Sequence, residues 1–568
     1  MSTSAGPISR RSLLRLFSVG TGMAILAACG GSAQPSTSPA PPSQGPASSP
    51  AAAAPSSAAA SAAAKPSTAA SVSVSAPASS AAAAVSPSVQ PKLGGTLQAI
   101  QAGDLASVDG HYYTPGAGLS AWIVFDTLTA YDDNLKPQPA LAESWDQSTD
   151  LKTIKLNLRK GVTFHNGREL TSDDVIYNLN RILDVKITVG IITGFIQPGT
   201  TWTNPDKYTV MIQTPQPWIV AFDFFQIFNI LDKDTAEGPD AKSKAVGTGP
   251  FTLQEWVVGQ HVNYGKNKNW WQSGKPYLDG IVLNIAKDQQ SMTAQFEGGQ
   301  AQFMVNPTLQ DYARLQKAGN YQALTLPNPA AFWMFQPNVT RKPLDDKRVR
   351  QALNFAIDRQ RMVDSVLLGT TKAQDLPWPD ASPAAEPAKN STFAFNLDKA
   401  KALLDQAGQN NWELDLLVSA TSAEGNAMLQ IYQSDLAKIG VKGTIRQLAT
   451  AALLDAWHTQ TYGLYVASDP WANLEPVTQY VAGSTTGYQK NNAGYTDPQY
   501  TQLVSAAAGE PDATKRKALY SQLNDFFLDA SFDMPLASRY TYGMAVKNLQ
   551  GLGHRRNEMW TFYNAFLS

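Results

Sequence analysis

Residues 412–419 read Trp-Glu-Leu-Asp-Leu-Leu-Val-Ser, in which Trp412, Leu414, Leu416 and Val418 alternate with their neighbours. A period of two marks a strand. Leu429, Tyr432, Leu436 and Ile439 then fall at helical spacing, and Gly440 ends the run. Val441 to Gln447 returns to strand character. Strand, helix and strand with short joints form a crossover unit of a mainly parallel sheet, and the fold class read from it is α/β. Upstream, Ala400, Leu403, Leu404 and Ala407 make another helical stripe, stopped by Gly408. A helix is predicted to start near Asp345-Asp346, with Val349, Ala352, Leu353, Ala356 and Ile357 on one face. Thr171-Ser172-Asp173-Asp174 fits a capping box ahead of Val175, Leu179, Ile182 and Leu183. Leu156 and Leu158 alternate as a strand, and Gly94-Gly95 opens a first strand that continues to Ile100.

At 568 residues the chain is too long for one ordinary domain. Its net charge of -1 argues against a general nucleic-acid binder, which needs a basic surface. Five basic residues and no acidic one precede position 93, so residues 93–568 carry -6. Phe17 is the sole aromatic residue before position 93, so the material for a core lies after it. The single cysteine, Cys29, excludes an intramolecular disulfide and a thiolate metal cluster.

Residues 1–29 read as an export leader. Ser-Arg-Arg-Ser-Leu-Leu-Arg at 9–15 precedes a short apolar run closed by Leu26-Ala27-Ala28-Cys29. The run is too short for a membrane span of about 20 residues. Leu-Ala-Ala-Cys resembles a bacterial lipobox, which implies lipidation of Cys29 and cleavage before it. Arg10-Arg11 resembles a twin-arginine signal, with ordinary secretory export as the alternative. Of the 60 residues from Gly31 to Gln90, 48 are Ala, Ser or Pro, so residues 30–92 are expected to form a disordered tether. Such a tether reaches roughly 40–50 Å.

No Gly-x-Ser-x-Gly elbow, His-Glu-x-x-His or phosphate loop occurs in the sequence. Gly247-Thr248-Gly249-Pro250 lacks a following lysine and reads as a turn. The histidines at 111, 165, 261, 458 and 554 form no local ligand pair, and neither metal nor cofactor is expected. A carboxylate pair of glycosidase type need not be local and stays open.

Several stretches together resemble the extracellular solute-binding proteins of the peptide/nickel/oligopeptide class, which serve ATP-binding-cassette (ABC) importers. They are Leu141-Ala142-Glu143-Ser144-Trp145, Leu158 to Gly167 with Leu170 to Val175, Val246-Gly247-Thr248-Gly249-Pro250-Phe251, Asn267 to Trp271, and Asp346 to Arg359. The resemblance covers residues 93–568. It implies a two-lobe periplasmic-binding-protein fold that closes like a hinged trap, with an extra subdomain. Residues 93–127, 241–330 and 536–568 are expected to build one lobe, 128–240 the subdomain and 331–535 the other lobe. His165 is expected to be a fixed hydrogen-bonding residue of a turn, with Arg348 and Arg350 binding local carbonyls or carboxylates.

The resemblance also implies a ligand site between the lobes. Asp109 to Gly116 matches a loop that offers backbone groups to an extended peptide, with Tyr112, Tyr113, Thr114 and Gly116 as contacts. Tyr465-Val466-Ala467-Ser468-Asp469 matches a segment whose aspartate holds the peptide's ammonium group. Val466, Ala467, Ser468 and Asp469 are thus site residues, with Trp333 and Trp471 as aromatic platforms. Val466 stands where peptide binders often place an aromatic residue, and Trp471 is the replacement. The competing readings are a turn aspartate before Pro470 and aromatics that belong to the core. The function implied is an extracytoplasmic, lipid-anchored, monomeric, non-enzymatic receptor that delivers peptides to a membrane permease powered by a separate ATPase. An oligosaccharide or metal chelate in the same frame, a secreted hydrolase and a sensory receptor are the alternatives.

Replacing Cys29 with Ser is expected to release the protein from membranes, read by fractionation. Continued membrane partition after cleavage at another site would refute lipidation there.

Overall fold

Gly94 and Gly95 take φ of +94° and +84° and turn the chain into the strand Thr96–Ala102. The computed structural model describes residues 90–112, 118–184, 192–241, 243–329, 331–470, 474–483, 486–555 and 559–568. The leader, Cys29 and the tether through residue 89 lie outside them. Leu97 and Ala99 face one core, whereas Ile100 joins another, so this strand is buried on both sides. It lies inside a seven-stranded sheet ordered Tyr321–Thr325, Tyr542–Val546, Phe303–Val305, Thr96–Ala102, Gly280–Ala286, His261–Lys266, Phe251–Val257.

The crossover read from residues 412–447 is present. Strands Trp412–Ser419 and Val441–Leu448 pair in parallel, joined by the helix Ala423–Lys438. Met428, Leu429, Tyr432 and Leu436 are its buried face, and Gly440 leaves it at φ +81°. These strands belong to a five-stranded sheet ordered Val441–Leu448, Trp412–Ser419, Leu464–Pro470, Ala331–Pro337, Met534–Arg539. A third sheet, Ala142–Gln147, Thr153–Leu158, Thr209–Gln213, Thr201–Asp206, is wholly antiparallel. The helix Ser172–Arg181 presses Val175 and Leu179 into the core beside it. Its Asp174 carboxylate accepts from the Thr171 backbone N–H at 2.8 Å, as the capping motif requires. The helix Lys347–Phe355 starts at Asp346, whose side chain accepts from the Arg348 N–H.

The α/β class holds, but the expectation of a mainly parallel sheet needs correction. Both larger sheets are mixed: the parallel pairs lie in the middle of the seven-stranded sheet and on the Val441–Leu448 side of the five-stranded one, in which Leu464–Pro470, Ala331–Pro337 and Met534–Arg539 pair antiparallel. The reason is connectivity. A parallel pair needs a crossover, whereas Phe251–Val257 and His261–Lys266 are joined by a short turn that demands antiparallel pairing.

The chain passes between the two larger sheets twice, after Thr325 and after Arg539. The passages touch: Leu326 N–H donates to the Thr541 carbonyl at 3.0 Å. The expected border at 535/536 falls inside the strand Met534–Arg539, which stays with the five-stranded sheet to its end.

Several sequence motifs meet at one buried carboxylate. Asp126 Oδ2 accepts from Thr248 Oγ1 at 3.1 Å, Trp270 Nε1 at 3.1 Å and Trp271 Nε1 at 2.9 Å. His165 Nδ1 accepts from the Gly247 N–H at 3.4 Å, so its Nε2–H donates to the Gly249 carbonyl at 3.0 Å. Burial lowers the pKa of this imidazole. Arg350 Nε donates to the Ala530 carbonyl and Nη1 to that of Leu344, while Arg348 pairs with Asp346. These motif residues build the fold.

A Cβ at Gly249 would lie 2.5 Å from the Val124 carbonyl oxygen, which the Gly249 N–H itself binds at 2.9 Å. Gly249→Ala is expected to cost about 1–3 kcal/mol through this overpacking. Denaturant unfolding should show a lower midpoint, and an unchanged midpoint would refute the close approach.

Candidate functional site

Asp469 is the penultimate residue of the strand Leu464–Pro470. Its register partner is Phe332, and Phe332 in turn faces Ser538. The next row, Pro470–Ala331–Arg539, is the last before the two chain passages. Asp469 therefore sits at the end of the five-stranded sheet that points toward the rest of the protein. Because the strand runs through Pro470, Asp469 is a strand residue and not a turn aspartate.

Its side chain is almost wholly buried, at 2% exposure. Gln479 Nε2 donates to Asp469 Oδ2 at 2.9 Å. Tyr465, four residues earlier on the same face, is also buried; burial raises its phenol pKa, and the Asp469 charge adds to the rise. A carboxylate held this way can accept hydrogen bonds from, and neutralise, one small cationic group.

Strand alternation sorts the remaining candidates. Ala467, opposite Met334, shares the face of Asp469. Val466 lies opposite Phe335 and Ser468 opposite Trp333, on the other face, where Val466 and Trp333 join the large core. The Arg539 guanidinium lies 6.0 Å from the Trp333 ring centroid. Trp471, Tyr113, Thr114 and Gly116 lie outside the described residues. Strand pairing thus places Ala467 with Asp469 on one face of the sheet and Val466, Ser468 and Trp333 on the other.

Tyr112 is half-buried on the other candidate segment, the loop entered at Asp109. Its N–H donates to the Asp109 carbonyl at 3.0 Å. The loop is fastened by a buried network. Arg181 forks onto Asp109 at 2.6 and 3.1 Å and donates to His111 Nδ1 at 2.9 Å. Since Nδ1 accepts, His111 Nε2–H is the donor to the Asn229 carbonyl, at 2.9 Å. Burial, then the Arg181 charge, lower this imidazole's pKa to about 4. Asn229 Nδ2 closes the network on the Gly110 carbonyl at 3.0 Å. The network fixes the start of this loop, and several of its backbone groups are spent on it: the His111 N–H donates to Asp109 Oδ1 at 3.0 Å, and the Asp109 N–H to Ser107 Oγ at 3.0 Å.

Sequence reasoning missed a second buried acid. Asp223, in the helix Ala221–Phe225, is 1% exposed. It accepts from Tyr131 Oη at 2.8 Å, from Thr478 Oγ1 at 2.5 Å and from the Glu475 N–H at 3.1 Å. Glu475 and Thr478 belong to the segment after Asp469, so Asp223 ties the region of the four-stranded sheet to the region of the five-stranded one. The Glu475 carboxylate is itself held by Arg516 at 3.0 Å and by the Tyr520 hydroxyl. Alongside, a Cβ at Gly194 would lie 3.2 Å from the Ala482 Cα, so glycine permits this approach. The signal was present in the sequence: one acid inside Ala221-Phe222-Asp223-Phe224-Phe225, a run otherwise wholly apolar. Gln479 carried no such signal.

Three comparisons bear on this arrangement. The profile of the bacterial extracellular solute-binding proteins, family 5, matches residues 136–492, and the chain belongs to that family. A dipeptide-binding protein of Pseudomonas aeruginosa is 27% identical over 491 residues, 79% of this chain and 90% of its own length. The ABC-transporter-associated periplasmic binding protein of Helicobacter pylori, solved with the peptide STSA, superposes with a TM-score of 0.74 at 22% identity. It covers 84% of this chain and 98% of its own. The periplasmic binding protein of A. tumefacien R10 solved with agropinic acid gives 0.73 at 24% identity, covering 84% and 99%. These likenesses bear out the periplasmic-binding-protein fold, and the family is one of binding proteins.

Burial pushes the Asp223 carboxyl pKa up from 3.8 to about 7, with the Glu475 charge acting in the same direction. The folded protein therefore holds this proton where the unfolded chain has lost it. The stabilisation is complete below about pH 4 and is lost as pH rises toward about 7. Asp223→Asn, which cannot ionise, should flatten that decline, by on the order of 1–4 kcal/mol across the window. Melts of both proteins from pH 4.5 to 8 check this; parallel curves would refute it.

Proposed function

We propose that this family member is the membrane-anchored receptor of an ABC importer, and that it captures peptides between its lobes and passes them to a membrane permease. The observation that carries the reading is Asp469: a buried carboxylate at the end of the five-stranded sheet beside both chain passages. A solute amine taken from water into a closed site needs an opposing charge and hydrogen bonds, or its burial is costly. Asp469 supplies the charge. The fastened segment Asp109–Tyr112 leads into the loop that, in this reading, offers backbone groups to an extended peptide without reading its side chains. The name of the Pseudomonas relative supports peptides as the solute.

In this reading residues 93–127, 241–330 and 540–568 act as one lobe, 128–240 as a subdomain beside it and 331–539 as the second lobe, with the last border moved to the end of the strand Met534–Arg539. Asp223 is a catch between subdomain and second lobe. Cys29 carries the lipid anchor outside the cytoplasm, and residues 30–92 give the receptor its reach. The receptor acts as a monomer and performs no catalysis; the ATPase that drives transport is a separate chain.

Titration calorimetry with a panel of alanine peptides two to five residues long tests the reading. Asp469→Asn should weaken the best binder about 30- to several-thousand-fold, the roughly 2–5 kcal/mol for truncating one partner of a buried charge pair. The melting temperature should stay near that of the parent. Unchanged affinity, or no binding of any alanine peptide, would overturn it.

A further inference from the structure

The short helix Pro476–Ala482 places two neighbouring side chains on two different buried acids. Thr478 reaches Asp223, and Gln479 reaches Asp469. Gln479 is completely buried. The orientation of its amide follows from chemistry. A carboxylate only accepts, so it is the amide nitrogen and not the oxygen that meets Asp469 Oδ2. That oxygen, Gln479 Oε1, is buried and has no hydrogen-bond partner among the described residues. Such groups are rare in folded proteins, because leaving water without a replacement partner is costly.

The surroundings hold Gln479 in place. Its backbone carbonyl accepts from Thr486 Oγ1 at 2.8 Å and from the Gly483 N–H at 3.2 Å. A Cβ at Gly483 would lie 2.9 Å from Gln479 Nε2, so only glycine lets the chain close over the amide. On the far side the catch at Asp223 fixes Thr478, and with it the helix. A fixed, buried, unsatisfied acceptor whose own amide nitrogen binds a site carboxylate is what a donor-rich cation would complete.

We propose that Gln479 is a specificity-determining residue: its Oε1 accepts a second N–H of the same solute ammonium that Asp469 neutralises. This rests on the reading of Asp469 as the cation anchor. A primary ammonium carries three N–H donors and satisfies both acceptors. A tertiary ammonium carries one, satisfies Asp469 and leaves Oε1 bare. An N-acylated solute has no charge and fails at Asp469 first. The ligand class is therefore solutes with a free primary amine, selected by hydrogen-bond count as well as by charge.

The test is calorimetric titration of the full-length protein, Gln479→Leu and Asp469→Asn with tri-alanine and with N-terminally dimethylated tri-alanine, which keeps the charge and loses two donors. The parent should prefer tri-alanine by about tenfold or more, about one lost hydrogen bond in a buried site. Gln479→Leu should bring that preference close to one. A residue that merely props Asp469 would weaken both peptides alike and leave the preference intact, which would overturn the inference while Asp469→Asn still loses affinity. If Asp469→Asn binds like the parent, or if neither peptide binds the parent, the anchor reading falls and this inference with it. Should Gln479→Leu not fold by circular dichroism, Gln479→Met is read by the same criterion.

Discussion

The hydrogen bond from Leu326 to Thr541 joins the two chain passages that connect the larger sheets. Much follows from that one contact. Two chain passages tied side by side move together, which suits a hinge. They also decide which end of the five-stranded sheet faces the rest of the protein, because Ala331 and Arg539 sit in the row beside them. Asp469 stands one row further in, on the strand that pairs with Ala331–Pro337. An acid at the opposite end of the same strand would face away from any interlobe space.

The motifs with the strongest sequence signal serve this frame and not the solute. Asp126 gathers Thr248, Trp270 and Trp271, and His165 clasps both glycines of Gly247-Thr248-Gly249. Asp126, Thr248 and Trp270 are buried, His165 and Trp271 half-buried, and their polar atoms are engaged with one another and with the backbone. Their residue types are narrowly constrained for steric reasons: Cβ atoms at Gly247 and Gly249 would meet the Val124 carbonyl oxygen at 2.3 and 2.5 Å.

Buried charge is handled in three ways. At Asp109 the carboxylate is paired in a fork by Arg181, which gives a further N–H to a neutral imidazole. At Asp223 three donors converge, but desolvation still favours the protonated form near neutrality. At Asp469 the carboxylate takes an amide N–H. In each case partial or full pairing lowers the cost of removing the group from water. The first is fixed architecture, the second ties two regions of the chain, and the third leaves an acceptor beside it, Gln479 Oε1, still unsatisfied.

Local periodicity determined much of the secondary structure. The crossover at 412–448, the capped helix at 172–181 and the helix entered at Asp346 follow from side-chain spacing and caps, which act over a few residues. The family, and Asp469 within its segment, were legible because motif residues constrained by close packing keep their order along the chain. Sheet mixing was not legible, since strand partners such as Thr96–Ala102 and Gly280–Ala286 lie far apart in sequence. Nor was the split of Val466 and Asp469 onto opposite faces decided until the strand's extent was known. Gln479 and Asp223 needed the tertiary structure altogether. Their significance comes from partners 10 and 255 residues away, and nothing local distinguishes a glutamine that meets a buried carboxylate from one that meets water.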